Sequence, residues 1–133
     1  MLEDFIEANN LKARIVSGKP SEFRIKCLLY ICGSDSFLLA SPAEKHPDLQ
    51  KIKNAVSAKD IEVPDAKTIL ETTGYEKDFL PPVSIFGITL LLDKSIAEKE
   101  KLQCAVSDSE YLEISGKEIL ESSEEALIGD YCR

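Results

Sequence analysis

One lysine stands where its neighbours argue against a charge. Ile25 to Cys32 reads IKCLLYIC, an apolar run broken only by Lys26. Taking an ammonium out of water is costly, so a lysine in such a strand either snorkels to the rim or faces a polar cleft. In a cleft the cation can meet a phosphate or a polarised carbonyl. A second marked stretch runs from Thr68 to Asp93, TILETTGYEKDFLPPVSIFGITLLLD. Pro81 and Pro82 each hold φ at about −65° and remove an N–H donor, and the residue before each is pushed out of the helical region. The result is a stiff loop that presents carbonyl oxygens, followed by Gly87, where the backbone can pass close to a ligand. A plain proline-stiffened connection is the competing reading of the same residues.

Other chemistries find no support in the residue types. Cys27, Cys32, Cys104 and Cys132 form no CxxC pair, and His46 is the one histidine, so the spacing of a zinc site is missing. No metal or cofactor is expected, and the thiols read as reduced and mostly buried, with Cys132 exposed near the end of the chain. GxSxG, P-loop, HExxH and GxGxxG signatures are all absent. His46 lies between Lys45 and Pro47 in a polar connection and reads as a surface residue, and no serine has a histidine nearby in sequence to activate it.

The elements that must position Lys26 and the loop follow from patterning. Leu2 to Ala8 fits a short helix, and Leu11 to Ser17 alternates as a half-buried strand. Ile25–Cys32 and Phe37–Ala40 read as a hairpin joined by the four residues Gly33 to Ser36. Leu49, Ile52, Ala55 and Val56 have helical spacing, Lys59–Val63 reads as a short strand, and Ala66–Thr72 as a helix burying Ile69 and Leu70 and stopping at Gly74. Ile88–Leu92, apolar on both faces, predicts a central strand. Strands over Leu102–Val106 and Tyr111–Ile114 and a helix from Gly116 to Leu120 complete the pattern, ahead of an acidic tail. Strands and helices mix without strict βαβ alternation. The expected class is α+β, a single domain over residues 1–133 with a mixed, mostly antiparallel sheet or partial barrel flanked by helices.

Composition narrows the surroundings. With 44% hydrophobic residues the 133-residue chain can bury an ordinary core. No apolar run is long enough to span a bilayer and the acidic start does not resemble a signal peptide, so a cytoplasmic protein with no membrane partner is expected. The net charge of −8 is unevenly spread. Residues 10–59 carry nine Lys/Arg against four acids, whereas residues 61–133 carry seven against sixteen. Phosphate binding needs a local basic face rather than a basic protein, so the first half can still meet a nucleic acid.

Five segments in order resemble one family. IKCLLY, LQKIKNAVSAKDIEV, TTGYEKDFLPPVSIFG, LLLD and YLEISGKEIL, spread over about Arg24 to Leu120, are similar to the YbaK-type aminoacyl-tRNA deacylases. These are relatives of the editing (insertion) domain of bacterial prolyl-tRNA synthetase. The resemblance implies a YbaK-like fold and a free-standing enzyme acting on the ester between a wrong amino acid and a tRNA 3′ end. It makes Lys26 the main functional residue, holding the terminal phosphate or the substrate. Most of the remaining chemistry falls to the loop backbone, a water and the substrate's own ribose hydroxyl. Leu28, Tyr30, Val83, Ser84, Phe86 and Gly87 are then the residues shaping the aminoacyl pocket, with Gly74 at the start of the loop. Where relatives carry paired glycines in the loop, this chain has Pro81-Pro82, and Ile85 replaces a common proline. Those prolines supply no N–H, so a step relying on donors there cannot run as in the relatives. The implied partners are the aminoacylated tRNA 3′ end and a synthetase. A non-catalytic member binding tRNA ends or a synthetase is the second expectation.

An editing sieve suits a small domain. A synthetase separates small apolar side chains by only ~1–3 kcal/mol per methylene, so a second, hydrolytic pocket is needed.

Overall fold

The apolar runs become strands almost as the patterning predicts. The computed structural model describes residues 1–133. It opens with α1 (Leu2–Ala8), β1 (Arg14–Ser17), β2 (Ile25–Cys32), β3 (Asp35–Pro42), α2 (Leu49–Ala55) and α3 (Ala66–Thr73). A 3-10 turn at Lys77–Phe79 leads into the proline loop. Then come β4 (Thr89–Asp93), β5 (Leu102–Ala105), β6 (Glu110–Ile114), α4 (Gly116–Glu121) and β7 (Ala126–Gly129).

The strands form two sheets. One is antiparallel in the order β1-β6-β5; the other runs β2-β3-β4-β7, with β2 antiparallel to β3 and parallel pairing from β3 through β4 to β7. A single bridge between Arg24 and Gln103 ties the edge strand β2 to the edge strand β5, and beyond it the two edges part. The α+β class stands, and the sheets do not close into a barrel.

Period-2 alternation explains the layers. Ile25, Cys27 and Leu29 of β2, with Leu38, Leu90 and Leu92, join Leu102, Leu112 and Ile114 of the other sheet and Ile119 of α4 in the larger core. The opposite face carries Tyr30, Leu39 and Leu91, which pack with Ile52 of α2 and Tyr131 in a second core. Strand β4 is thus covered on both sides, as its unbroken apolar run predicts. The helices are capped locally: Asp48 accepts from Gln50 and Lys51 N–H, Asp65 from Thr68 N–H and Ser115 from Glu118 N–H.

Several expectations are corrected. The β2–β3 loop has two residues rather than four, since Cys32 pairs with Asp35. Gly33, at φ 60°, takes the first central position, where a type II′ turn wants glycine. The strand foreseen at Lys59–Val63 reduces to one bridge, Glu62 with Ile31. Leu70 is exposed, on the outer side of α3. The acidic tail contains β7, and Cys132 is buried rather than exposed. Its burial follows from the buried carboxylate Asp93, which accepts the Tyr131 N–H at 3.1 Å, and from the bridge that pins Cys132 to Pro47.

Candidate functional site between two strand edges

Where β2 and β5 separate, the 3-10 turn at Lys77–Phe79 lies across the gap and leaves a cleft of about 280 Å³. Its walls are Ile25, Lys26, Cys27 and Leu28 from β2, Cys104 and Ala105 from β5, and Lys77, Asp78 and Leu80 from the turn and loop. Pro20, Arg24 and Ala43 close its end. The Cys104 thiol donates to the Leu80 carbonyl at 3.5 Å, so the start of the proline loop is fastened to the cleft wall.

Lys26 is half-buried and forms no ion pair. Its cross-strand neighbour is Ser41, fully buried, whose hydroxyl makes no hydrogen bond. A partly buried lysine in the cleft lining with no carboxylate paired to it can meet an anionic group from outside. Three cations, Arg24, Lys26 and Lys77, line the cleft against one carboxylate, Asp78. Between them lie Ile25, Leu28, Leu80 and Ala105, an apolar wall suited to a small side chain. Cys27 is no nucleophile here: a hydrogen bond with Cys104 and complete burial push its thiol pKa well above the usual range.

Two surface hollows are larger, about 450 and 550 Å³, beside α1 and α4. The first carries Glu3, Glu7 and Glu110 against Arg14, and the second Glu100, Glu113, Glu118 and Glu121 against Lys12, Lys101 and Lys117, so neither has the cationic excess of the cleft.

A family model for the aminoacyl-tRNA editing domain matches residues 11–121. The chain belongs to the aminoacyl-tRNA editing domain family. Solved structures agree on the fold. The hypothetical protein APE2540 superposes with a TM-score of 0.86 at 20% identity, covering 99% of both chains. A proposed trans-editing enzyme for prolyl tRNA synthetase gives 0.85 at 16%, covering 99% of this chain and 94% of its own. A scaffold protein used for computational epitope grafting gives 0.87 at 17%, with the same coverage. No curated protein matches the chain in sequence.

Within this editing domain the residues singled out from sequence fall into separate places. Lys26 and Leu28 line the cleft together. Tyr30 shares their strand face but is buried in the second core beneath α2, where desolvation raises its pKa. Gly74 caps α3 in the left-handed region at φ 81°, its N–H bonded to the Leu70 carbonyl at 2.8 Å. Val83 is buried in the larger core, and Ser84, at φ 70°, receives the Tyr75 hydroxyl at 2.9 Å. Both line a narrow hole of about 20 Å³ beside α4, apart from the cleft. Phe86 is 68% exposed and tilts against Phe5 with ring centroids 6.0 Å apart, and Gly87 follows at φ 74°. The loop therefore reaches the cleft through Leu80, not through its glycine end.

Sequence reasoning passed over Arg24, Lys77, Asp78, Cys104 and Ala105 as cleft residues. Nothing in the local pattern marks them, because β5 and the 3-10 turn meet β2 only through the fold. The backbone N–H groups of Val83 to Gly87 donate to no protein acceptor. A non-glycine residue held in the left-handed region, as Ser84 is, belongs to a loop that its surroundings over-determine.

Proposed function

We propose that this editing domain hydrolyses mischarged tRNA in trans, releasing a small amino acid from the 3′ end in the cleft between β2 and β5. The observation that carries the reading is Lys26: half-buried, without a carboxylate partner, in an apolar-walled cleft on a member of an editing family. A water adds to the ester carbonyl, the bond to the ribose oxygen breaks, and that oxygen leaves with a proton as the amino acid departs. Lys26 holds the terminal phosphate or the negative charge developing on the carbonyl oxygen. Leu28 and Leu80 bound the side-chain space, and a cavity of about 280 Å³ favours a small residue. Val83, Ser84, Phe86 and Gly87 act by holding the loop in shape, and Gly74 by setting where it starts. The likeness in fold to a proposed trans-editing enzyme for prolyl tRNA synthetase supports that synthetase as the upstream enzyme.

The test is hydrolysis of tRNAs mischarged with Ala, Cys, Ser or Thr, wild type beside Lys26→Ala. Turnover of one substrate that falls by about 10²–10³ in the variant, at unchanged melting temperature, is the expected result. Unchanged turnover in Lys26→Ala removes the lysine from the mechanism. The donor-free Pro81-Pro82 favours a second reading, in which the domain binds tRNA ends or a synthetase without catalysis. Salt-sensitive tRNA binding with no turnover on any ester selects it.

A further inference from the structure

Next to the cleft lies a second hollow, about 290 Å³, lined by Ser21, Phe23, Arg24, Pro42, Glu44, Lys45, Ser95, Ile96, Lys99 and Leu102. Arg24 lines both, so one residue stands between the two hollows. Together they carry Arg24, Lys26, Lys45, Lys77 and Lys99 against Glu44 and Asp78, with Arg24 paired to Glu44 at 3.3 Å and the four lysines in no ion pair. On a chain of net charge −8 that is a local basic face.

Phe23, in the lining of the second hollow, is in an unusual state. The residue is 59% exposed, and the backbone sits at φ 46°, a conformation that a bulky residue rarely adopts. The turn is locked in place from beneath. The buried Gln103 side chain accepts the N–H groups of Ser21 and Glu22 at 2.9 and 3.1 Å, and the Gln103 N–H donates to the Phe23 carbonyl at 3.1 Å. Lys99 Nζ lies 5.6 Å from the ring centroid, a cation over an aromatic face that stays in water. Three hydrogen bonds thus hold the turn that carries this ring, and the ring lies beside Arg24, Lys45 and Lys99 in the lining of the second hollow. Unpaired nucleotides are recognised by this combination of an exposed ring for the base and lysines or arginines for the backbone.

We propose that Phe23 is a stacking platform for an unpaired base at an RNA 3′ end, with Lys99, Lys45 and Arg24 on the flanking phosphates, leading the terminal nucleotide toward Lys26. This rests on the editing reading and adds a nucleotide subsite to it. Gln103 is the positioning residue that fixes the ring.

The experiment measures binding of a labelled RNA hairpin ending in an unpaired ACCA tail, beside the same hairpin with a blunt end. Wild type binds the tailed hairpin more tightly than the blunt one. Phe23→Leu, which keeps an apolar side chain but loses the π face, weakens tailed binding about tenfold and leaves blunt binding unchanged, whereas Phe23→Trp retains both. Equal tailed binding by wild type and Phe23→Leu overturns the platform, as does a wild type that ignores the tail or binds neither hairpin. The two readings separate cleanly. Ester turnover with Phe23-independent tail binding leaves the hydrolase and removes the platform. Phe23-dependent tail binding without turnover does the reverse.

Discussion

Gly116 is the position at which one methyl group should do the most damage. It is the first residue of α4 and buried, and its N–H donates to the Lys99 carbonyl at 2.9 Å. A Cβ there would stand 2.7 Å from the Ile96 oxygen and the Ala97 carbonyl carbon, and closer still to the Ala97 oxygen. Ordinary contacts begin at roughly 3.5 Å. The obstructing atoms are backbone, so no side chain can swing aside. Relief requires α4 and the Ile96–Lys99 segment to move apart by about 1 Å, which breaks the Gly116–Lys99 hydrogen bond. Overpacking costs ~1–3 kcal/mol and the lost bond ~1. Alanine's better helix propensity returns ~0.5–1 kcal/mol. The net loss for Gly116→Ala is about 2–3 kcal/mol, a fall of about 8–12 °C in melting temperature for a domain this size. Gly33→Ala is the control. Nothing lies within 4 Å of its Cβ position, so only the positive φ opposes it, and a drop of about 4 °C is expected. A Gly116→Ala protein melting within about 2 °C of wild type would refute the packing argument.

Two further outcomes concern titration. The Thr68 N–H holds the Asp65 carboxyl below its usual range, and the Lys51 ammonium does the same for Asp130. A carboxyl depressed in the folded state contributes stability above its unfolded pKa and loses it as pH falls through the folded value. The melting deficit of Asp65→Ala should therefore be larger at pH 7 than at pH 3; a deficit that stays constant or grows in acid contradicts the cap. Cys27, its thiol held protonated by Cys104 and burial, should resist iodoacetamide in the native state at pH 8 while the half-buried Cys32 reacts. Alkylation of Cys27 at the rate of Cys32, read by peptide mass, would sink that assignment.

What was legible in the sequence was whatever one strand or one helix decides for itself. IKCLLYIC and the apolar run at Leu90–Leu92 announced strands because neighbours along the chain carry the signal, and Gly74 announced the end of α3 because only its own φ was at stake. Lys26 was visible for the same reason, as a charge among apolar neighbours. The cleft was not visible. Its other wall, Cys104 and Ala105, is brought to β2 by the single Arg24–Gln103 bridge, a pairing that no local pattern encodes. Strand β7 was hidden because the four residues ALIG follow an acidic run and acquire strand geometry only by pairing with β4. Cys132 was misplaced with it. Phe23 escaped notice because one exposed aromatic in a turn is ordinary until its φ and the grip of Gln103 are known.

The parallel pairing of β4 with β7 bears on how the chain is made. Leu90, Leu91 and Leu92 pair with residues 126–128, across an intervening hairpin and helix. During synthesis from the N-terminus, β4 emerges long before its partner and can join β3 on one side only. For that interval a strand with three consecutive leucines offers a bare edge, the kind of template on which nascent chains aggregate. Asp93, whose carboxylate waits for the Tyr131 N–H, sits at the end of that edge and places a charge beside it. One buried carboxylate can thereby guard a strand while the protein is unfinished and clasp its partner once it arrives.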